Sequence, residues 1–138
     1  MFKITPVNSP EEQEALARAL GCEYRPTYFA YVMNDCETGE LMGFSQFEIN
    51  SDGGYISDIC EPEGKDDVEA MFILARQTMN FIDLMGMHKA YARGDGADSR
   101  LLHAVGFKTE AEDGRLFCNM EGMFDGHCSG HKAELPTK

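Results

Sequence analysis

Asp98-Ser99-Arg100-Leu101-Leu102-His103-Ala104-Val105-Gly106-Phe107-Lys108-Thr109 reads as a short amphipathic helix that stops at Gly106 and passes at once into a strand. The turn Glu112-Asp113-Gly114 then leads into a second strand, Leu116–Phe124. Glycine just past a helix and Asp-Gly between two β-rich runs are the punctuation that helix ends and hairpins need. The chain therefore closes on a helix and an antiparallel pair.

Working back from this closure, the longest helix is predicted over about 66–85. There Val68, Met71, Phe72, Ala75, Met79, Ile82 and Met85 recur at steps of three and four, and Gly86 follows. His88–Ala92 is the strand after it. Upstream, Tyr28–Met33 and Leu41–Ile49 are β-rich runs joined by Asp35-Cys36-Glu37-Thr38-Gly39, and Asn50–Gly54 turns into Tyr55–Cys60. Phe2–Thr5 is a first strand. Ser9 is then an N-cap, Pro10 a first helical residue, Glu12 the partner of a capping box and Gly21 a helix stop. The order is β, α, three β, long α, β, short α, β, β. Hairpins make most pairs antiparallel, and the strand–long helix–strand unit makes one pair parallel.

Composition sets the class. A length of 138 residues suits one domain with its own core: residues 1–128, with 129–138 as a loose tail. The net charge of −12 disfavours nucleic-acid phosphates and anionic membrane surfaces as partners. The N-terminal residues carry no apolar signal segment, and the five cysteines (22, 36, 60, 118, 128) form no C-x-x-C pair. Reduced thiols in a cytoplasmic protein are the expectation.

The element order and the segment Leu101-Leu102-His103-Ala104-Val105-Gly106-Phe107 resemble the GNAT-type N-acetyltransferases, in which a final helix ends in Gly-Phe before a closing hairpin. The resemblance covers nearly the whole chain. It implies an α/β fold: a central, mostly antiparallel, splayed sheet of about seven strands with helices on both faces. It also implies acetyl-coenzyme A as co-substrate and an amine, on a small molecule or a peptide, as acceptor. The pantetheine arm would lie where the fourth and fifth strands part, between Ile59, Cys60 and Glu61 on one side and Ala90–Ala92, with Tyr91, on the other. A base from the fourth strand or its neighbours would take the amine proton; Asp58 and Glu48 are the candidates. A tyrosine that often serves as general acid in the family is Leu102 here, and a frequent asparagine is Asp95.

In this family the diphosphate rests on a glycine-rich loop at the start of the long helix. The matching stretch here is Glu61-Pro62-Glu63-Gly64-Lys65-Asp66-Asp67-Val68-Glu69. Gly64 and Lys65 fit the pattern, whereas Asp66 and Asp67 stand where small residues belong. From Asp58 to Glu69 there are six acids and one lysine. A unit charge about 6 Å from another costs roughly 3 kcal/mol at an effective dielectric near 20. Attraction to an exposed helix N-terminus returns only about 0.3–1 kcal/mol. Asp66 is expected to cap the helix with Glu69, which would further occupy the free N–H groups.

Two functional classes follow. One is an acetyltransferase, its overall charge favouring a cationic acceptor such as a polyamine, an aminoglycoside or a lysine side chain. The other is a non-catalytic binding module that keeps the fold without ordinary acetyl-coenzyme A binding. Exposed strand edges permit a homodimer. His127, Cys128 and His131, with Cys118, are the residue types that hold zinc or nickel, but their spacing matches no zinc template and no metal site is assigned to them. Cys22, Cys60 and Cys118 read as buried small hydrophobes.

Overall fold

The structure, a computed structural model, describes residues 1–93 and 99–124, Ser99 by its backbone alone. Asp95, the His127/Cys128/His131 cluster and the expected domain boundary lie outside the described residues. The elements are β1 (Phe2–Pro6), α1 (Pro10–Leu20), β2 (Phe29–Asp35), β3 (Leu41–Asn50), β4 (Gly53–Cys60), α2 (Val68–Leu84), β5 (Lys89–Ala92), α3 (Ser99–Val105), β6 (Thr109–Glu110) and β7 (Leu116–Asn119). They form one open seven-stranded sheet in the order β1-β2-β3-β4-β5-β7-β6. Among the described residues only β4 and β5 pair in parallel. The ten elements and the mixed sheet follow the order expected from the sequence.

Helix α1 begins where its residues dictate. The Ser9 hydroxyl accepts from Glu12 N–H at 3.3 Å, Pro10 occupies the first turn, and Gly21 ends the helix at φ 73°. The Ser9 hydroxyl donates to Glu11 Oε2 at 2.9 Å. Helix α2 starts later than expected: Asp67, not Asp66, is the N-cap, and its carboxylate accepts from Ala70 N–H at 3.0 Å. That frame turns Ala70, Met71, Leu74, Ala75, Thr78, Met79, Phe81 and Ile82 inward. Val68 and Met85, counted as core by periodicity, are 67% and 55% exposed because they lie at the helix ends. β7 is shorter than the predicted strand: the Asn119 side chain accepts from Glu121 N–H at 3.0 Å and turns the chain away.

Helices α2 and α3 cover one face of the sheet, and α1 covers the other. Two glycines let α2 settle closely. A Cβ on Gly54 would lie 2.5 Å from Ile82 Cγ2, and one on Gly43 would lie 2.6 Å from Met71 Cε. Phe47 and Phe81 meet at 5.6 Å and 73°, with Phe29 and Tyr31 packed around them. This is the dry core.

Candidate functional site

The site begins with one extra residue in β4. Phe47 pairs with Ile56 and Gln46 with Asp58, so Ser57 bulges. Without the bulge, Tyr55 and Asp58 would point to opposite faces, because side chains alternate along a strand. With it, Tyr55, Asp58 and Cys60 all stand opposite residues of the α1 face: Glu48, Gln46 and Phe44 respectively. The ladder between β4 and β5 ends at Ile56↔Ala92, beside the bulge. Beyond that point β4 runs on through Cys60, and among the described residues no strand pairs with it on the β5 side.

This register corrects one expectation. Ala90 and Tyr91 are not across from Ile59–Glu61; they pair with Gly54 and Tyr55 inside the ladder. Tyr91 packs on Phe117 at 5.3 Å, with the Arg115 guanidinium 4.1 Å over its ring. Ile59, Cys60 and Glu61 lie three to five residues past the last pair, roughly 10–17 Å along the strand direction. The last pair between the two strands is thus Ile56↔Ala92, at the C-terminal end of β5.

Asp58 is buried, and its Oδ2 accepts three hydrogen bonds: Arg25 Nε at 2.8 Å, Gln46 Nε2 at 3.0 Å and Ser57 Oγ at 2.7 Å. Gln46 Oε1 accepts from Gln13 Nε2 at 3.0 Å and Arg25 N–H at 3.1 Å. Gln46 also donates to Glu23 O at 2.7 Å, and Gln13 to Arg25 O at 3.0 Å. The network fastens the loop between α1 and β2 to the middle of the sheet. Burying these polar groups costs little because each finds partners. Asp58 is therefore a well-satisfied anchor, with its charge matched by Arg25.

Glu48 has a different setting. It is half-buried, stands across from Tyr55, and accepts one bond from Asn50 Nδ2 at 3.3 Å. Tyr28 is close enough that burial, and then the Glu48 charge, raise its phenol above the ordinary value. Burial likewise raises Tyr55, against the opposing pull of Arg93 and Arg25. Two neutral phenols and one carboxylate thus share the surface. A cavity of about 250 Å³ opens beside Tyr28, lined also by Ser9, Gln13, Pro26 and Thr27.

At the start of α2, carboxylates occupy the backbone donors. Glu61 Oε2 accepts from Asp67 N–H at 3.2 Å, and Asp67 Oδ1 accepts from Ala70 N–H at 3.0 Å. Gly64 takes φ 87°, and Lys65 is turned to Glu40 at 2.7 Å. Leu102, in the position of the family's tyrosine, is 1% exposed within the core.

Sequence reasoning missed Arg25, Gln13, Tyr28 and Cys22. Gln46 carried a signal: an amide on a strand face otherwise apolar at Phe44. Arg25 carried none, since a loop arginine looks the same whether solvated or buried. Cys22 and Cys60, taken separately as small hydrophobes, are neighbours. A hydrogen bond from the Cys60 thiol lowers Cys22, and that bond, with burial, pushes Cys60 far up.

No protein-family model matches the chain, and no curated protein matches it by sequence. Solved structures do match. IAA acetyltransferase from Bacillus cereus superposes with a TM-score of 0.63 over 80% of this chain and 79% of its own, at 19% identity. The chain has the GNAT acyltransferase fold. A mutant of spermidine N-acetyltransferase SpeG from Vibrio cholerae gives a TM-score of 0.67, 10% identity and coverage of 90% and 96%. A mutant of the toxin AtaT, bound to acetyl-CoA and the C-terminus of the antitoxin AtaR, gives 0.61, 12% and coverage of 89% and 96%. At such identities the likeness to these GNAT structures is one of fold.

Proposed function

We propose that the protein transfers an acetyl group from acetyl-coenzyme A to an amine, with Glu48 as the general base. The observation that carries this is the stretch of β4 beyond Ile56↔Ala92, which no strand among the described residues pairs on the β5 side, together with Glu48, a half-buried carboxylate on the neighbouring strand β3 across from Tyr55. Backbone groups of Ser57–Cys60 on that side can hold an extended amide-containing arm as a further strand would. Glu48 takes the proton from the incoming ammonium, directly or through a water, and frees its lone pair for attack on the thioester carbonyl. Acetyl-coenzyme A supplies the activated acyl group: the carbonyl–sulfur bond breaks as the amide bond forms, and coenzyme A leaves as the thiolate. Tyr28 and Tyr55, kept as phenols by burial, offer aromatic faces to the cation. Asp58 was the other candidate base; its bonds to Arg25, Gln46 and Ser57 suit it to holding the loop in place.

The residues fit the arm and not the diphosphate. Glu61 and Asp67 use the N–H groups that a diphosphate would need, and Lys65 is committed to Glu40. That observation favours a second reading, a module that keeps the fold but binds coenzyme A too weakly to turn over. Calorimetric titration with coenzyme A, paired with a thiol-release assay on cationic amines, separates the two. Micromolar binding with turnover supports the transferase. Silence at millimolar ligand, with every amine inert, removes it.

A further inference from the structure

Gly21 ends α1 in the left-handed conformation and Cys22 N–H returns to Ala17 O at 3.0 Å, which fixes Cys22 against the sheet. Asp58 and Cys60 are two residues apart on β4, hence on one face, the face α1 covers. The two sulfurs and a carboxylate oxygen of Asp58 all lie within 4.8 Å of one another. We propose that Cys22, Cys60 and Asp58 bind one divalent cation of the zinc class, with the fourth position open to solvent.

The donor set is right for such an ion. Two thiolates and a carboxylate suit a borderline-soft, tetrahedral cation and are a poor match to calcium or magnesium. Zinc–sulfur bonds of about 2.3 Å and zinc–oxygen bonds of about 2.0–2.2 Å place tetrahedral ligand atoms about 3.4–3.8 Å apart. The observed spread needs only a small closing movement. Metal-binding carboxylates are themselves held by hydrogen bonds, and Asp58 Oδ2 has three such donors in Arg25, Gln46 and Ser57.

Charge balance points the same way. With both thiols protonated, Asp58 and Arg25 sum to zero. With both ionised, two thiolates and Asp58 carry three negative charges, which a dication and the Arg25 guanidinium cancel. Binding therefore exchanges two thiol protons for one cation and leaves no net charge in a partly buried site. Cys22 and Cys60 are each half-buried, so an ion can enter without unfolding.

The test uses the full chain, freed of metal and reduced with a non-chelating phosphine, titrated with cobalt(II). The expected result is a thiolate-to-cobalt charge-transfer absorption with tetrahedral d–d bands, saturating at one equivalent and displaced by zinc. C22S and C60S should each weaken binding at least tenfold, and C128S should leave it intact, which separates this site from the cluster at 126–131. Absence of the band overturns the site. So does a band that survives in C22S and C60S, or a protein that takes up no cobalt and yields a Cys22–Cys60 disulfide on peptide mapping. If a serine variant does not fold, X-ray absorption of the wild-type zinc complex decides. A shell of two sulfurs with oxygen supports the assignment, and any other sulfur count overturns it.

Discussion

The two faces of the sheet are built from the same strands and obey different rules. On the α2 face, Phe47, Phe81, Met79 and Ile82 make a dry core in which stability comes from buried area and tight fit. On the α1 face, Gln13, Gln46 and Asp58 are buried polar groups and Arg25 a partly buried one, each held by named partners. One inserted residue, Ser57, decides which β4 side chains join which face. The difference teaches that the site depends on register, whereas the core depends on volume. Changes on the two faces should therefore read out differently.

The largest effect belongs to the core. Phe81→Ala removes the ring that meets Phe29, Tyr31 and Phe47, at the centre of the α2 face. It should cost about 3–5 kcal/mol in urea unfolding, with loss of activity only in proportion to unfolded protein. A loss below about 1 kcal/mol would mean the two faces share the load more evenly than their composition suggests.

On the polar face the prediction reverses. Glu48→Gln keeps shape and leaves stability within about 0.5 kcal/mol, yet should slow amine acetylation about 100-fold. Asp58→Asn should do the opposite. It removes a charge-assisted acceptor from Arg25, Gln46 and Ser57 and should cost about 1.5–3 kcal/mol, toward the lower figure because Arg25 is partly solvated. Its rate per folded molecule should fall far less than that of Glu48→Gln. Rates measured on both variants at matched folded fractions check the division. A slow Asp58→Asn beside a normal Glu48→Gln would exchange the two roles.

The two faces were not equally legible in the sequence. The core helix showed through Met71, Ala75, Met79 and Ile82, because a period of 3.6 is a direct consequence of helix geometry. Its ends did not, since Val68 and Met85 continue the pattern past the point where the sheet stops. Topology was readable from Gly21, Gly39, Gly86 and Gly106, each at a forced positive φ. The bulge at Ser57 left no mark, because an extra residue in a strand looks like any other residue until its partner strand is known. Without it the pairing of Gln46 with Asp58 cannot be placed, nor the meeting of Cys22 with Cys60. The acidic run at 61–69 was visible as charge. Which acid caps α2 depended on a one-residue choice of frame that only packing against the sheet resolves.

That choice makes the sharpest small test. Asp67 has two roles at the start of α2: its oxygen caps Ala70 N–H, and its charge faces any anion approaching the loop. Asp67→Ser separates them, because serine caps nearly as well as aspartate and carries no charge. Stability should change by less than about 0.5 kcal/mol. Removing one charge about 6 Å from a diphosphate recovers at most about 3 kcal/mol, and salt reduces that at an exposed loop. A gain of about tenfold in coenzyme A affinity is the expected outcome, larger at low ionic strength and shrinking as salt is added. Asp67→Asn should reproduce it. If both variants bind coenzyme A no better than the parent at any salt concentration, repulsion at this loop is not what limits the ligand. The backbone donors taken by Glu61 would then be the place to look, through Glu61→Gln.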